Sequence, residues 1–385
     1  MDAGPLPEPR APRTPWRPEG CERLALVLQG GGALGAYQAG VYQALHEAGL
    51  EPDFVAGVSI GGINAAIIAG NPPERRLERL RDFWETITAR HLWPYTPDGD
   101  DPRKTRNSWS ATMTMLMGQP GFFTPSTPNP WFSLRGSKTA TSFYDNAPLR
   151  ETLLRLVDFD LLNRRTTRYA CGAVNILNGN FAYFDTAKAE LQPEHIMASG
   201  ALPPALPMVR IGTDYYWDGG LVSNTPLQYV LETEEGEDSV VFQVDLFSAR
   251  GQLPRDMYDV MSRQKDIQYS SRTRLVTDYF RDRLSSNQLL KRVLDKLPDD
   301  ALNEEERDAK RRLAHLPDVT ILQLVYQQMA YEGQAKDYEF SATSMREHWD
   351  AGYRDTERTL RHKDWLAIPT GDGGIVVHDV HRLDD

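Results

Sequence analysis

A serine flanked by glycines is the first feature of this sequence whose residue types and spacing could support chemistry. Residues 57–61 read GVSIG, and Ser59 lies between an apolar run typical of a strand and the helix-like stretch GINAAIIAG. A strand that turns sharply into a helix holds such a serine in strained geometry with its hydroxyl exposed, and Gly57 and Gly61 leave room for the turn. The alternative is a chance match in a glycine-rich turn. Because strand, motif and helix follow in the required order, we predict that Ser59 is a nucleophile.

The glycines near residue 30 have two interpretations. Gly30, Gly32 and Gly35 form G-x-G-x-x-G after the strand-like run LALVLQ, which is the pattern of a dinucleotide-binding turn. That site requires an acidic residue at the end of the second strand, whereas Asp53 precedes the second strand. The same turn can direct main-chain N–H groups toward a developing oxyanion. We therefore predict an oxyanion loop formed by Gly30, Gly31 and Gly32, and no dinucleotide cofactor.

A serine hydroxyl needs a neighbouring base to take its proton. Five of the eight histidines follow Asp218, the order that a triad of serine, acid and histidine requires, but none of the five lies in a segment that marks it as catalytic. These five are His315, His348, His362, His378 and His381. The triad therefore stays open as an alternative.

Asp218 is a second candidate for the base. It follows an aromatic run and precedes two glycines, and an Asp-Gly pair is also typical of an ordinary turn. Desolvation by Tyr215, Tyr216 and Trp217 would raise the pKa of this carboxyl group from its usual value of about 3.9, as a carboxylate base requires. The residues alone suggest this role without deciding it.

The composition excludes several classes of protein. The 385 residues carry a net charge of −11, which argues against a protein built to neutralise nucleic acid phosphates. Two cysteines, Cys21 and Cys171, argue against a disulfide scaffold and favour a reducing, cytoplasmic location. The histidines lack the spacing of metal ligands, so no metal is expected. The proline-rich residues 1–20 are predicted to form a disordered leader without the apolar core of a signal peptide.

The predicted elements alternate between strands and helices. Two strand–helix pairs within about fifty residues indicate an α/β fold with a parallel sheet. Residues 94–145 interrupt the pattern with a loop-like start and later methionines and aromatic residues, and this insertion either forms a lid over the site or packs on the main domain. Beyond residue 250 the stretches are long, charged and helix-like, apart from the strand candidate VTILQLVYQ.

Four sequence blocks together resemble the patatin-like phospholipase family. They are GGGALG at residues 30–35, GVSIG at 57–61, ASGALP at 198–203 and DGGLVSNTP at 218–226. The resemblance implies a three-layer α/β sandwich with a mostly parallel central sheet over residues 21–248. Residues 249–385 resemble a mainly helical C-terminal extension of a bacterial subgroup, to which the resemblance assigns no role.

The resemblance also implies roles for individual residues. Ser59 would be the nucleophile and Asp218 the general base, in a dyad without histidine, and Gly30, Gly31 and Gly32 would form the oxyanion loop. The glycines expected to support the elbow and the loops are Gly35, Gly57, Gly61, Gly219 and Gly220. Family members often carry Arg or Lys at the position of Leu34, so a positive charge is missing beside the loop.

These features predict hydrolysis of an acyl ester through an acyl-serine intermediate, with no metal or organic cofactor. The expected substrates are acyl esters of phospholipids or lysophospholipids. One alternative is the depolymerisation of an intracellular polyester, a polyhydroxyalkanoate, by the same dyad, and another is a non-catalytic protein that binds lipids or a partner. We expect a cytoplasmic protein that meets a membrane or granule surface peripherally and binds no nucleic acid, while its oligomeric state is left open.

Overall fold

The computed structural model describes residues 5–89, 97–233, 237–369, 374–379 and 381. Its strands are β1 (Arg23–Leu28), β2 (Phe54–Val58), β3 (Thr124–Pro125), β4 (Tyr144–Asp145), β5 (Arg168–Asn175), β6 (Phe181–Asp185), β7 (Val209–Ile211), β8 (Asp214–Asp218), β9 (Ser239–Asp245), β10 (Val319–Val325) and β11 (Ile375–Asp379). Its α-helices are α1 (Ala36–Glu47), α2 (Ile60–Ala69), α3 (Pro73–Ile87), α4 (Asp100–Met117), α5 (Ala147–Leu156), α6 (Phe159–Arg164), α7 (Pro193–Ser199), α8 (Leu227–Thr233), α9 (Met257–Tyr269), α10 (Thr273–Leu294), α11 (Glu304–Arg312) and α12 (Ala342–Thr359).

The main sheet has the strand order β11-β10-β9-β1-β2-β5-β8-β7, and β6 also pairs with β5. The strands from β11 to β5 are parallel, whereas β6, β7 and β8 form antiparallel pairs. The continuous apolar runs that predicted β1 and β2 form adjacent, buried strands at the centre of this sheet, as expected for strands covered on both faces. The predicted α/β fold with a mostly parallel sheet is confirmed.

Helices cover both faces of the sheet and make three layers. Leu24, Leu26 and Leu28 of β1 pack into a core that α1, α2, α3 and α12 share on one face. The intervening Ala25 and Val27 pack into a second core with α8 and α10 on the other face. This alternation follows from the two-residue period of a strand. The two cores fix the ends of β1 and β2, from which the candidate site is built.

The C-terminal residues form part of the same fold. β10 pairs with β9 over its full length, and β11 extends the sheet further. α12 lies against α1, where Trp349 Nε1 donates to Gln43 Oε1 at 2.8 Å and the Tyr353 hydroxyl donates to Glu47 Oε2 at 2.7 Å. The predicted boundary at residue 248 therefore separates no structural unit, because β10 pairs with β9 and α12 packs on α1 across it. Local sequence patterns do not reveal these contacts.

Two further expectations differ from the structure. Residues 5–20 contain no helix or strand, but the Arg13 amide donates to Glu47 O at 3.1 Å and Trp16 Nε1 donates to Ala48 O at 2.8 Å. A disordered leader does not fit these contacts, and its residues 1–4 lie outside the described residues.

The predicted insertion begins in a helix rather than a loop. Residues 94–96 of the insertion lie outside the described residues, and α4 starts at Asp100 after Gly99. Asp100 and Asp101 lie in its first turn, where negative charge is favourable, and Pro102 is tolerated because the first N–H groups of a helix need no partner. The proline and the charges that suggested a loop are thus compatible with a helix start.

Candidate active site

Ser59 occupies a sharp turn between β2 and α2. Its backbone angles are φ 55° and ψ −125°, a region that residues other than glycine rarely adopt. The Ser59 N–H donates to Ser199 Oγ at 3.0 Å, which stabilises this conformation. A Cβ atom on Gly61 would lie 2.3 Å from Leu28 O, so the close approach of α2 to the end of β1 requires glycine there. The geometry matches that of a nucleophile elbow.

Asp218 ends β8 and is 2% exposed. It pairs with Ala173 of β5, which brings its carboxyl group to the edge of the sheet where Ser59 lies. The Gly220 N–H donates to Asp218 Oδ1 at 2.7 Å. Burial raises the pKa of Asp218 to about 7, although its interactions with the Ser59 hydroxyl and the Gly220 N–H partly oppose this change. A carboxyl group with this pKa can accept a proton near neutral pH.

The glycine loop that follows β1 packs directly against the elbow. A Cβ atom on Gly30 would lie 3.1 Å from Ser59 Cβ and 2.3 Å from Asn224 Oδ1. The Gly30 N–H donates to Asn224 O at 3.1 Å, and Asn224 Nδ2 donates back to Gly30 O at 2.9 Å. This pair of bonds corrects the prediction for Gly30, whose N–H is already engaged. Among the described residues, no hydrogen-bond acceptor is found for the N–H groups of Gly31 and Gly32.

Ser59 and Asp218 line one cavity of about 90 Å³. Gly30, Gly31, Gly32 and Gly220 also line it, together with Asn224. The rest of its wall is mainly aromatic or aliphatic and comes from three parts of the chain. The insertion supplies Phe122, Phe123 and Tyr144, and the segment after α7 supplies Gly200, Leu202, Ala205 and Leu206. Residues nearer the C-terminus supply the remainder, which is Phe247, Tyr269, Asp337, Tyr338 and Phe340. Such a wall suits an apolar chain next to the serine.

The ionisable side chains that line the cavity, apart from its tyrosines, are acidic. The charged residues that line it are Asp218 and Asp337, and Asp337 forms an ion pair with Lys265 at 2.5 Å. Leu34 is fully buried in the core. The described lining residues include no Arg, Lys or His.

The five histidines after Asp218 lie elsewhere. His348 contacts Glu332 at 2.5 Å, and His315 contacts Asp238 at 3.2 Å. His362 and His378 stack on Trp365, and His381 contacts Asp355 at 3.4 Å. Each has another partner, so the geometry does not support a triad that uses one of them.

The remaining predicted glycines lie behind the cavity wall. Gly35 packs on Ile60, and a Cβ atom there would lie 2.6 Å from Ile60 Cγ1. Gly57 and Gly61 face each other within the turn, and Gly219 packs on Gly172 O of β5. These glycines permit close backbone packing and do not reach the cavity.

Sequence reasoning missed the residues that hold the two loops together. Asn224 joins the glycine loop to the segment after Asp218 and also donates to Tyr269 O at 3.0 Å. Gln29 accepts the N–H groups of Leu246 and Phe247 at 2.6 and 2.9 Å, which ties the end of β1 to the end of β9. The sequence signal that could have identified Asn224 was its position inside the fourth block, DGGLVSNTP. No sequence signal marked Gln29, because the two N–H groups that its side chain accepts lie 217 and 218 residues away in sequence.

Two kinds of feature are absent from the described residues. They contain no cluster of three or more His, Cys, Asp or Glu side chains that could hold a metal ion. None of their helices combines the length and the apolar character that crossing a bilayer requires.

Comparisons with known proteins extend these observations. A family model described as patatin-like phospholipase matches residues 26–231, and a second, described as patatin phospholipase, matches residues 267–372. Lysophospholipase NTE1 of Candida glabrata is 24% identical over 249 residues, which are 63% of this chain and 11% of that protein. Patatin-like phospholipase domain-containing protein 6 of Mus musculus is 42% identical over 67 residues, 17% of this chain and 5% of that protein.

Among solved structures, VipD from Legionella pneumophila is 15% identical, with a TM-score of 0.40. That alignment covers 91% of this chain and 71% of the other. This chain spans a small fraction of the length of the curated relatives that it matches.

Proposed function

This chain belongs to the patatin-like phospholipase family, and we propose that it hydrolyses acyl esters of phospholipids or lysophospholipids with Ser59 as nucleophile and Asp218 as general base. The observation that carries the proposal is that a serine in a strained elbow and a buried aspartate line the same apolar cavity. The match to a relative named lysophospholipase over 63% of this chain supports the choice of substrate.

The first half of the proposed reaction acylates the serine. Asp218 accepts the proton of Ser59 Oγ while this oxygen attacks the carbonyl carbon of the ester. The oxyanion that forms is stabilised by the N–H groups of Gly31 and Gly32 and by the N-terminus of α2, which begins directly after the nucleophile. Collapse of this intermediate breaks the ester C–O bond, and the proton on Asp218 passes to the departing alcohol oxygen.

The second half regenerates the enzyme. Asp218 takes a proton from a water molecule, and the resulting hydroxide attacks the acyl carbonyl carbon. The same N–H groups stabilise the second oxyanion. When this intermediate collapses, Ser59 Oγ leaves with the proton from Asp218 and the fatty acid is released.

A fluorophosphonate probe and an ester substrate together test the proposal. We expect wild-type protein to be labelled and to release fatty acid from lysophosphatidylcholine. The Ser59→Ala variant should do neither, because the probe reacts with an activated serine. Ser223→Ala is a matched control on the neighbouring loop, where the hydroxyl donates to Thr225 O at 3.5 Å, and it should label normally.

Either of two results would overturn the proposal. Labelling and fatty acid release that persist in Ser59→Ala would rule out this nucleophile. Release of hydroxy acids from polyhydroxyalkanoate without turnover of any lipid would retain the dyad and replace the substrate class.

A further inference from the structure

The insertion carries five cations and four acidic residues, and the acidic residues, Asp98, Asp100, Asp101 and Asp145, all lie towards its two ends. Residues 102–144 contain Arg103, Lys104, Arg106, Arg135 and Lys138 and no acidic residue, although the whole chain has a net charge of −11. Three of these cations lie on α4, where Arg103 pairs with Glu347 at 2.6 Å and Lys104 with Asp259 at 3.8 Å. Arg135 is exposed and has no ion-pair partner among the described residues. Lys138 is 75% exposed and pairs with the partly exposed Asp145 at 3.1 Å.

Arg135 and Lys138 lie on a projecting loop, residues 127–142, which we call the tip loop. β3 and β4 close its base as an antiparallel pair, and the Ser126 N–H donates to Phe143 O at 2.8 Å. Three large apolar residues of the tip loop, Trp131, Phe132 and Leu134, are 82%, 85% and 84% exposed. Side chains of this size are rarely left together in water without a partner.

The base of the tip loop is part of the cavity wall. Phe123 precedes β3 and Tyr144 begins β4, and their ring centroids are 4.7 Å apart. Both rings line the cavity that contains Ser59. The Tyr144 hydroxyl donates to Met115 O at 2.7 Å, and this contact joins the base to the last turn of α4, where Leu116 is also exposed. The tip loop is therefore joined at its base to the wall of the cavity that contains the proposed nucleophile.

We propose that the tip loop docks on an anionic lipid surface, with Trp131, Phe132 and Leu134 in the interfacial layer and Arg135 and Lys138 on the lipid phosphates. Aromatic and aliphatic residues beside Arg and Lys are typical of segments that lie in this layer. Three projecting side chains offer too small an area for a stable dimer, which favours lipid over a second copy of the chain. This docking proposal rests on the proposed function in one respect: it takes the substrate to be a lipid, which docking would bring to the cavity.

Vesicle co-sedimentation with the full chain tests this docking. All proteins carry Ser59→Ala, so that hydrolysis cannot alter the lipid during the measurement. One set of vesicles is phosphatidylcholine alone, and in the other about a third of the lipid is phosphatidylglycerol. We expect binding to the anionic vesicles that weakens by about tenfold or more when Trp131, Phe132 and Leu134 are all changed to Ser.

A charge variant and two controls complete the set. Arg135→Gln with Lys138→Gln should remove most of the preference for anionic vesicles. Leu177→Ser and Arg274→Gln change a 75% exposed leucine and a 93% exposed arginine outside the tip loop, and both should bind like the parent. Thermal unfolding of each variant, matched to the parent, excludes misfolding as the cause of weaker binding.

Three outcomes would overturn the docking proposal. The parent could fail to bind either type of vesicle, or the variants of the tip loop could bind as tightly as the parent. Sedimentation velocity could instead show a dimer that the triple serine variant abolishes, which would assign the loop to a second copy. Hydrolysis of a soluble short-chain ester by protein that retains Ser59 is measured separately, so a failure of docking is distinguished from a failure of catalysis.

Discussion

At the scale of single residues, burial gives Asp218 the property that the proposed mechanism needs. A carboxylate with its usual pKa, near 3.8, is too weak a base to take a serine proton efficiently at neutral pH. Burial of Asp218 raises this pKa to about 7. Asp218 itself is 2% exposed, at the end of β8 where this strand pairs with β5. No histidine is then required.

The pH dependence of catalysis tests this role of Asp218. Because the ionised carboxylate is the active form, kcat/KM for a soluble ester should rise with pH through about 7. Asp218→Asn should lower kcat/KM by about 10²–10⁴-fold, the usual contribution of a general base. The control Asp350→Asn, on the partly exposed side of α12, should keep the wild-type profile. An unchanged rate in Asp218→Asn would contradict the assignment.

The raised pKa of Asp218 also predicts how the stability of the protein depends on pH. The pKa of Asp218 is higher in the folded state than in the unfolded chain, so its contribution to stability is fully present below about pH 3.8 and is lost as the pH rises through about 7. Asparagine does not titrate. The free energy of unfolding of Asp218→Asn should therefore rise relative to wild type by roughly 2–3 kcal/mol between about pH 5 and about pH 8. Urea titrations at both pH values would measure it, and a constant difference would contradict the shifted pKa.

At the scale of secondary structure elements, the position of the glycine loop depends on how α1 and α12 pack. The loop continues into α1 through a short 3-10 turn, so a movement of α1 would displace Gly31 and Gly32. α12 approaches α1 closely at two glycines: a Cβ atom on Gly40 would lie 1.9 Å from Trp349 O, and one on Gly352 would lie 2.0 Å from Tyr37 O. This helix crossing links the C-terminal third to the proposed oxyanion loop.

Gly352→Ala tests the helix crossing. The added methyl group would overlap Tyr37 O, so α12 must move away from α1. We expect the free energy of unfolding, measured in urea, to fall by about 1–3 kcal/mol. Asp350→Ala, in the same helix, removes only a surface ion pair and should cost less than about 1 kcal/mol. Equal effects of the two substitutions would mean that the close approach is not tightly packed.

At the scale of the whole molecule, the C-terminal third completes both the sheet and the cavity. β10 and β11 cover the edge of β9, and Tyr269, Tyr338 and Phe340 supply part of the cavity wall. Phe340 meets Phe122 of the insertion there, with ring centroids 5.9 Å apart. Lys265 Nζ donates to Asp337 Oδ1 at 2.5 Å, which joins α9 to this wall. The cavity that contains Ser59 and Asp218 is therefore lined by residues from both sides of the boundary predicted at residue 248.

Removal of residues 249–385 tests whether the fold and the cavity need the C-terminal third. A chain that ends at residue 248 would expose the edge of β9 and the apolar face of α1, and both exposures favour aggregation. We expect a poorly soluble protein without a cooperative thermal transition or labelling by the fluorophosphonate probe, with the full chain as control. A soluble, cooperatively folded and labelled fragment would instead support the boundary predicted at residue 248.

The parts of this protein that follow from local sequence were predictable from it. The apolar runs of β1 and β2, the GVSIG turn and the order of the four blocks all act within a few residues, so the family and the α/β fold could be inferred and are confirmed. The roles of Ser59 and Asp218 stay predictions that rest on the same local patterns. Their shared cavity, and the burial that raises the pKa of Asp218, appear only when β2 and β8 are placed on either side of β5.

Other features depend on contacts that no local pattern encodes. The Gly30 N–H is engaged by Asn224, 194 residues later, and α1 is packed by α12 from the far end of the chain. The leader and α4 were predicted incorrectly because proline and charge suggest loops when their tertiary partners are unknown. Sequence by itself determined which residues are the candidates for the chemistry, since that depends on residue type and short spacing. Tertiary structure decided which N–H groups are available, how deeply Asp218 is buried and what encloses the cavity, since these depend on packing between distant segments.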